Sequence, residues 1–182
     1  MSDKSPEDLA RQAIENAKIL AEMAGDGDVN TDYTRVPTGT YVGTLDPTVV
    51  KEGESIAQLL GPWGKNNDYY ALALAWKLPD DVAQKYGATT VRQQFKVDLI
   101  QDPLTGRTRF ANKNDFVNAN VELGKLLKAV GVSFAGFKVS DLYYKSALLE
   151  VVHEEDNRDA DKPVAERRVY AKVGKVSRLQ SI

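Results

Sequence analysis

The stretch that most limits what this chain can fold into runs from Asn120 to Val152. Its first part, VELGKLLKAVG (Val121 to Gly131), sets Leu123, Leu126, Leu127 and Val130 at helical spacing. Asn118 or Asn120 stands at its start and a glycine at its end, so the spacing predicts an amphipathic helix with marked ends. Its last part, LYYKSALLEVV (Leu142 to Val152), is an apolar run of β-forming residues. A single helix set among β-like runs requires a sheet that the helix can cover.

Three further runs precede the helix. Val36-Pro37-Thr38-Gly39 is a turn feeding a first strand through Leu45, and Gly43 inside it predicts a bulge or a sharp bend. The long connection 46–68 holds a short strand at Ser55 to Leu60 and then the turn-rich segment 61–68. The second main strand is Tyr69 to Leu78, where Tyr70, Leu72, Leu74, Trp76 and Leu78 alternate with mostly smaller residues, the pattern of a strand packed on a core. The segment 79–87 reads as a short helical or looped excursion. The third main strand is Thr90 to Ile100, with Val91, Gln93, Phe95, Val97 and Leu99 on one face and Arg92, Gln94, Lys96 and Asp98 on the other. Asp102-Pro103-Leu104-Thr105-Gly106 is a turn, after which Arg107 to Phe110 returns as an antiparallel strand. Beyond the helix come a fourth strand, Leu142 to His153, an exposed polar loop, 154–163, and a fifth strand, Arg167 to Val176. The order of main elements is β-β-β-α-β-β. It is the chain order of a five-stranded OB-fold barrel, a scaffold often used to bind single-stranded nucleic acid. The expected fold is therefore mainly β with helices, an OB-fold domain over 35–182 behind an N-terminal helical extension.

That extension, residues 1–34, is an acidic amphipathic helix and a linker. Ser5 caps, Pro6 suits the first turn and Asp8 completes a capping-box-like pattern. Leu9, Ala13, Ile14, Ala17, Leu20 and Ala24 make one apolar face to about Met23, which packs on the domain, on a neighbouring subunit of a homo-oligomer, or on a dedicated partner, the remaining alternative being a disordered arm. Charge is divided unevenly. Residues 1–34 carry eight acids and three bases, and residues 35–182 carry 18 acids and 21 bases, within a total net charge of −2. A body this mildly basic holds phosphates only through a local stripe of cations.

Chemistry-bearing motifs are scarce. The chain has no cysteine, which removes disulfides, thiolate nucleophiles and cysteine zinc sites together. His153 is the sole histidine, so no metal site is expected. Asn157, Asp159 and Asp161 have the opening spacing of a calcium loop, but Lys162 and Arg168 stand where glycine and the bidentate glutamate belong. Gly61-Pro62-Trp63-Gly64-Lys65 lacks the spacing of a phosphate-binding loop. These absences point away from an enzyme and from a cofactor. No apolar run is long enough to span a bilayer and the N-terminus has no apolar leader, so a soluble, cytoplasmic protein without membrane contact is expected.

What remains is cations interleaved with aromatic rings on strands and hairpins. Binding an unpaired strand needs both, cations to follow phosphates and flat rings to receive unstacked bases. Three groups qualify. The first connection and second strand offer Trp63, Lys65, Tyr69 and Lys77. The third strand and its hairpin offer Arg92, Lys96, Arg107, Arg109, Phe110 and Lys113. The last strands offer Tyr143, Tyr144, Lys145, Arg167, Arg168, Tyr170 and Lys172. Tyr143 and Tyr144 are expected to point opposite ways, one of them into the core. Trp76 and Phe95 share faces with core residues and are expected inside.

Taken together, VPTGTYVGTL (Val36 to Leu45), ALALAWKL (Ala71 to Leu78), ELGKLLKAVG (Glu122 to Gly131), DLYYKSALLEVV (Asp141 to Val152) and RRVYAKVGKV (Arg167 to Val176) resemble the single-stranded-DNA-binding proteins of tailed bacteriophages. The resemblance implies an OB fold that coats single-stranded DNA in phage replication or recombination, in the host cytoplasm, without a cofactor and alongside replication or recombination proteins. Many such proteins end in an acidic tail that recruits partners. This chain ends in Ser177-Arg178-Leu179-Gln180-Ser181-Ile182, with no acid, so recruitment of that kind is not expected, and the acidic N-terminal arm is the candidate for a similar role. The alternative to DNA binding is a protein-interaction or structural module on the same β scaffold.

Overall fold

A computed structural model of the chain describes residues 35–49 and 55–180, together with Arg11 and Ile14. The chain divides into two compact units, Met1–Tyr33 and Thr34–Ile182. In the first, Arg11 and Ile14 are helical and exposed; the rest of the expected N-terminal helix lies outside the described residues.

The described part of the second unit is mainly β, with eight strands and two α-helices. In chain order these are β1 (Gly39–Thr44), β2 (Ala57–Trp63), β3 (Tyr69–Lys77), α1 (Asp80–Tyr86), β4 (Thr90–Val97), β5 (Leu99–Gln101), β6 (Thr108–Phe110), α2 (Val121–Val130), β7 (Ser146–Glu155) and β8 (Val169–Ser177). Six strands form one sheet in the order β1-β7-β8-β4-β3-β2. β1 also meets β3, at Thr44 opposite Lys77, so that β1, β7, β8, β4 and β3 close a ring of five strands. The pairs are antiparallel except β4 with β8, which run parallel where Arg92 faces Lys172. β5 and β6 make a separate hairpin.

The inner surface follows from period-two alternation. Leu72, Leu74 and Trp76 of β3, Val91 and Val97 of β4, Leu149 and Val151 of β7 and Val173 of β8 are buried in one core. Each such apolar side chain contributes about 1.5–3 kcal/mol by leaving water. Trp76 is fully enclosed, and its indole N–H donates to Gln93 Oε1 at 2.8 Å, so its polar atom is satisfied. Helix α2 adds Leu123, Leu126 and Leu127 to the same core and touches β4, β7 and β8. It stops where Gly131 takes a left-handed φ of 71° that a side chain would resist.

Four expectations need correction. Gly43 marks no bulge, because β1 and β7 pair without a break from Gly39–Val151 to Thr44–Ser146. It marks close approach, since a Cβ there would lie 2.2 Å from Leu149 Cδ1. The third strand is not continuous to Ile100. At Asp98 the backbone turns to the side chain of Asn120, which accepts the Asp98 N–H at 2.8 Å and donates to the Asp98 carbonyl at 2.8 Å, so β4 ends and β5 begins. The fourth strand starts four residues later than Leu142. The Lys138 N–H donates to Asp141 Oδ2 at 2.8 Å and the Tyr143 N–H to the Ser140 carbonyl, a tight turn that carries Leu142 into the core before the strand begins. Finally, the loop 154–163 is not merely solvated, because Asp159 within it is buried.

Candidate nucleic-acid interface

The outward side chains of β4 are Arg92, Gln94 and Lys96. Their cross-strand neighbours on β3 are Ala75, Ala73 and Ala71. Ala71 and Ala73 are buried between their neighbours, so the long polar side chains of β4 make the exposed part of this face. β8 continues the face on the other side, with Lys172 opposite Arg92 and Tyr170 two residues earlier on the same side. At the other end, Trp63 of β2 opposes Tyr69 of β3, and the rings stack with centroids 5.8 Å apart and planes 28° apart. Lys96 Nζ lies 6.0 Å from the Tyr69 ring centroid, within reach of a cation–π contact. Trp63 is 42% exposed and Tyr170 45%, against none for Trp76, so of the two tryptophans only Trp63 has a free face.

The electrostatics divide these cations. Arg92 has no ion pair among the described residues. Lys96, itself exposed, lies 3.5 Å from the half-buried Asp98, a long contact of little strength. Lys172 and Tyr170 both turn to Glu154 Oε2, the tyrosine hydroxyl donating at 2.9 Å. The hydrogen bond from Lys172, followed by that from Tyr170, holds the Glu154 carboxyl below its usual range. The same contact pushes the Tyr170 phenol up.

Other residues expected at a site are spread elsewhere. Lys65 is exposed in the turn after β2. Lys77 lies eight residues beyond Tyr69, roughly 26 Å along the strand, and its Nζ is 3.6 Å from Asp80. Arg107 and Lys113 are exposed beside the β5–β6 hairpin. Arg109 is held by a two-pronged pair with Asp115, at 2.8 and 2.9 Å, and Phe110 packs against Phe137 with ring centroids 5.8 Å apart. Tyr143, Tyr144 and Lys145 precede β7 rather than lying in a strand, so Tyr143 and Tyr144 do not alternate. Tyr144 is 65% exposed with a positive φ of 61°, while Tyr143 is half-buried against the core. Arg167 donates to Glu155 at 2.8 Å and to the carbonyls of Lys162 and Ala160.

Arg168 closes the loop between β7 and β8. Its Nε donates to Asp159 Oδ2 at 2.7 Å, its Nη2 to Oδ1 at 2.9 Å, and its backbone N–H also to Oδ2. These bonds, with Lys162, hold the Asp159 carboxyl far below the ordinary range. Arg158 holds neighbouring Asp156 down to about 2. A carboxylate depressed by folding stabilises the protein above its unfolded value of about 3.9 and loses that contribution as pH falls toward the folded value. The expected result is a Tm that declines as pH is lowered from about 5 to about 2. Asp159→Asn should lower Tm at neutral pH and flatten that decline. If the two Tm-versus-pH curves run parallel, Asp159 is not its cause.

Among the described residues, no group of three or more His, Asp or Glu side chains could hold a metal ion, and no helix is long and apolar enough to cross a membrane. His153 donates from Nε2 to the Val36 carbonyl at 2.9 Å, a structural contact. Two members of the outer face were missed as site residues. Gln94 was legible from its alternation with Arg92 and Lys96. Glu154 was not, because only the β7–β8 register sets it opposite Tyr170. No protein-family model matches the chain, and no curated protein or solved structure is significantly similar to it.

Proposed function

We propose that the second unit is an OB fold and that the chain is a sequence-tolerant single-stranded-DNA-binding protein of phage DNA replication or recombination, acting in the cytoplasm without a cofactor. The fold reading draws on the five-stranded ring, its parallel β4–β8 pair and the position of α2 ahead of β7. The functional reading is carried by one observation. A single outer face brings the Trp63–Tyr69 stack and Tyr170 beside Arg92, Lys96 and Lys172. Bases would stack on the rings while phosphates follow Arg92 and Lys96 along β4. Engagement of Arg92 and Lys96, with Lys172 already paired to Glu154, predicts a slope of log affinity on log salt of about −1.4 for a single strand.

The test is a titration with oligothymidine followed by tryptophan fluorescence at several salt concentrations. Quenching is expected from exposed Trp63, with affinity falling as salt rises. A flat salt response, or tighter binding of a duplex of equal length, would overturn the reading. A protein-docking module is the second reading, favoured by the exposure of Phe116, Val117 and Val121 around the start of α2. It predicts no DNA binding at any salt.

A further inference from the structure

Where β4 and β8 meet the end of β7, the proposed face hollows into a cleft of about 200 Å³. Tyr69 and Tyr170 bring rings to it, and Arg92, Gln94, Lys172 and Glu154 bring polar groups. That volume holds roughly six or seven waters. It is the size class of one base and falls short of a drug-sized ligand.

Glu154 does not suit a surface meant for phosphates alone, because an anion repels an anion. Its Oε2 is taken by the Tyr170 hydroxyl and the Lys172 ammonium, while Oε1 accepts no hydrogen bond among the described residues. The two donors keep the carboxylate ionised at neutral pH, so its remaining oxygen can only accept. Across the cleft the Arg92 guanidinium can only donate. A ligand that satisfies both presents an N–H donor beside a ring nitrogen or carbonyl acceptor. Cytosine has that arrangement, with its exocyclic amine next to N3 and O2. Thymine can offer the carboxylate only its ring N3–H, which stands between two carbonyl oxygens that repel an anion, whereas the cytosine amine has no carbonyl beside it.

We infer that Glu154, together with Arg92, makes this cleft a base-reading position that favours bases with an exocyclic amine, cytosine over thymine among pyrimidines. The inference rests on the single-stranded-DNA reading and adds one selective position to otherwise tolerant binding. An acidic side chain accepting from the cytosine amine is an established mode of base discrimination.

The experiment compares oligocytidine with oligothymidine of about ten nucleotides, within the span of one such site. Oligocytidine should bind the wild-type chain about fivefold more tightly or better. Glu154→Gln should bring the ratio to about one, because a neutral amide offers donor and acceptor alike. Cytosines dimethylated at the exocyclic amine should bind wild type no better than thymine, a result that depends on no variant folding. Equal wild-type affinities would overturn the inference. So would a Glu154→Gln variant that gains affinity for both oligomers and keeps the wild-type ratio, since the carboxylate would then only compete with phosphate for Lys172. Binding of neither oligomer would overturn the DNA reading itself and the inference with it.

Discussion

Trp63→Ala is expected to weaken binding of oligothymidine by roughly fivefold to 150-fold, the range for losing one base–ring stack of about 1–3 kcal/mol. The same substitution should remove most of the fluorescence quench. The remaining tryptophan, Trp76, is fully enclosed and cannot meet a base without unfolding. Trp63 is suited to the role by its support. Stacked on Tyr69, its ring has one face held and the other open. Little of the core depends on it, so Tm should move by only a few degrees. Trp76→Phe gives the complementary result, with affinity retained and the quench still present. Unchanged affinity in Trp63→Ala, measured by gel shift, would remove the stack from the interface.

Asn120→Ala is expected to cost about 3 kcal/mol of stability and to lower Tm by roughly 10 °C. The asparagine precedes α2 but does not cap it with its side chain. Its amide instead donates to the carbonyls of Asp98 and Ala111, each at 2.8 Å, and accepts the Asp98 N–H. Alanine leaves those groups without partners in a buried place, which costs more than the bonds are worth in water. It also leaves alanine at a left-handed φ of 52° that asparagine tolerates better. Asn120→Gly keeps the second penalty small and should fall between alanine and wild type. Urea unfolding separates these outcomes: a lower midpoint with an unchanged slope is expected. A loss under about 0.5 kcal/mol would mean that water takes over the three bonds.

Much of the fold was legible because its signals are local. The helix from Val121, the alternation in Tyr69 to Lys77 and in Thr90 to Val97, and the return at Thr108 each depend on residues close in sequence. The failures were also local in appearance. Leu142 to Lys145 reads as strand by composition, yet Asp141 closes a turn onto the Lys138 backbone just before it. A serine–aspartate pair at that place, Ser140-Asp141, is the signal that could have shown the turn. The break at Asp98 left no such signal, since its cause stands 22 residues away.

Which cations are free to meet a ligand was a different matter. Arg92, Lys96, Arg109, Arg168 and Lys172 look alike along the chain. Arg109 is taken by Asp115, Arg168 by Asp159 and Lys172 by Glu154, while Arg92 is left open among the described residues. Periodicity determined by itself that strands would present rings and cations on their outer faces, because the side a residue takes is a property of consecutive residues. Only the tertiary structure decided which of those charges was already answered. Strand register and loop closure bring in the opposing carboxylate, and a hydrogen bond a few ångströms long does not record how much chain separates its partners.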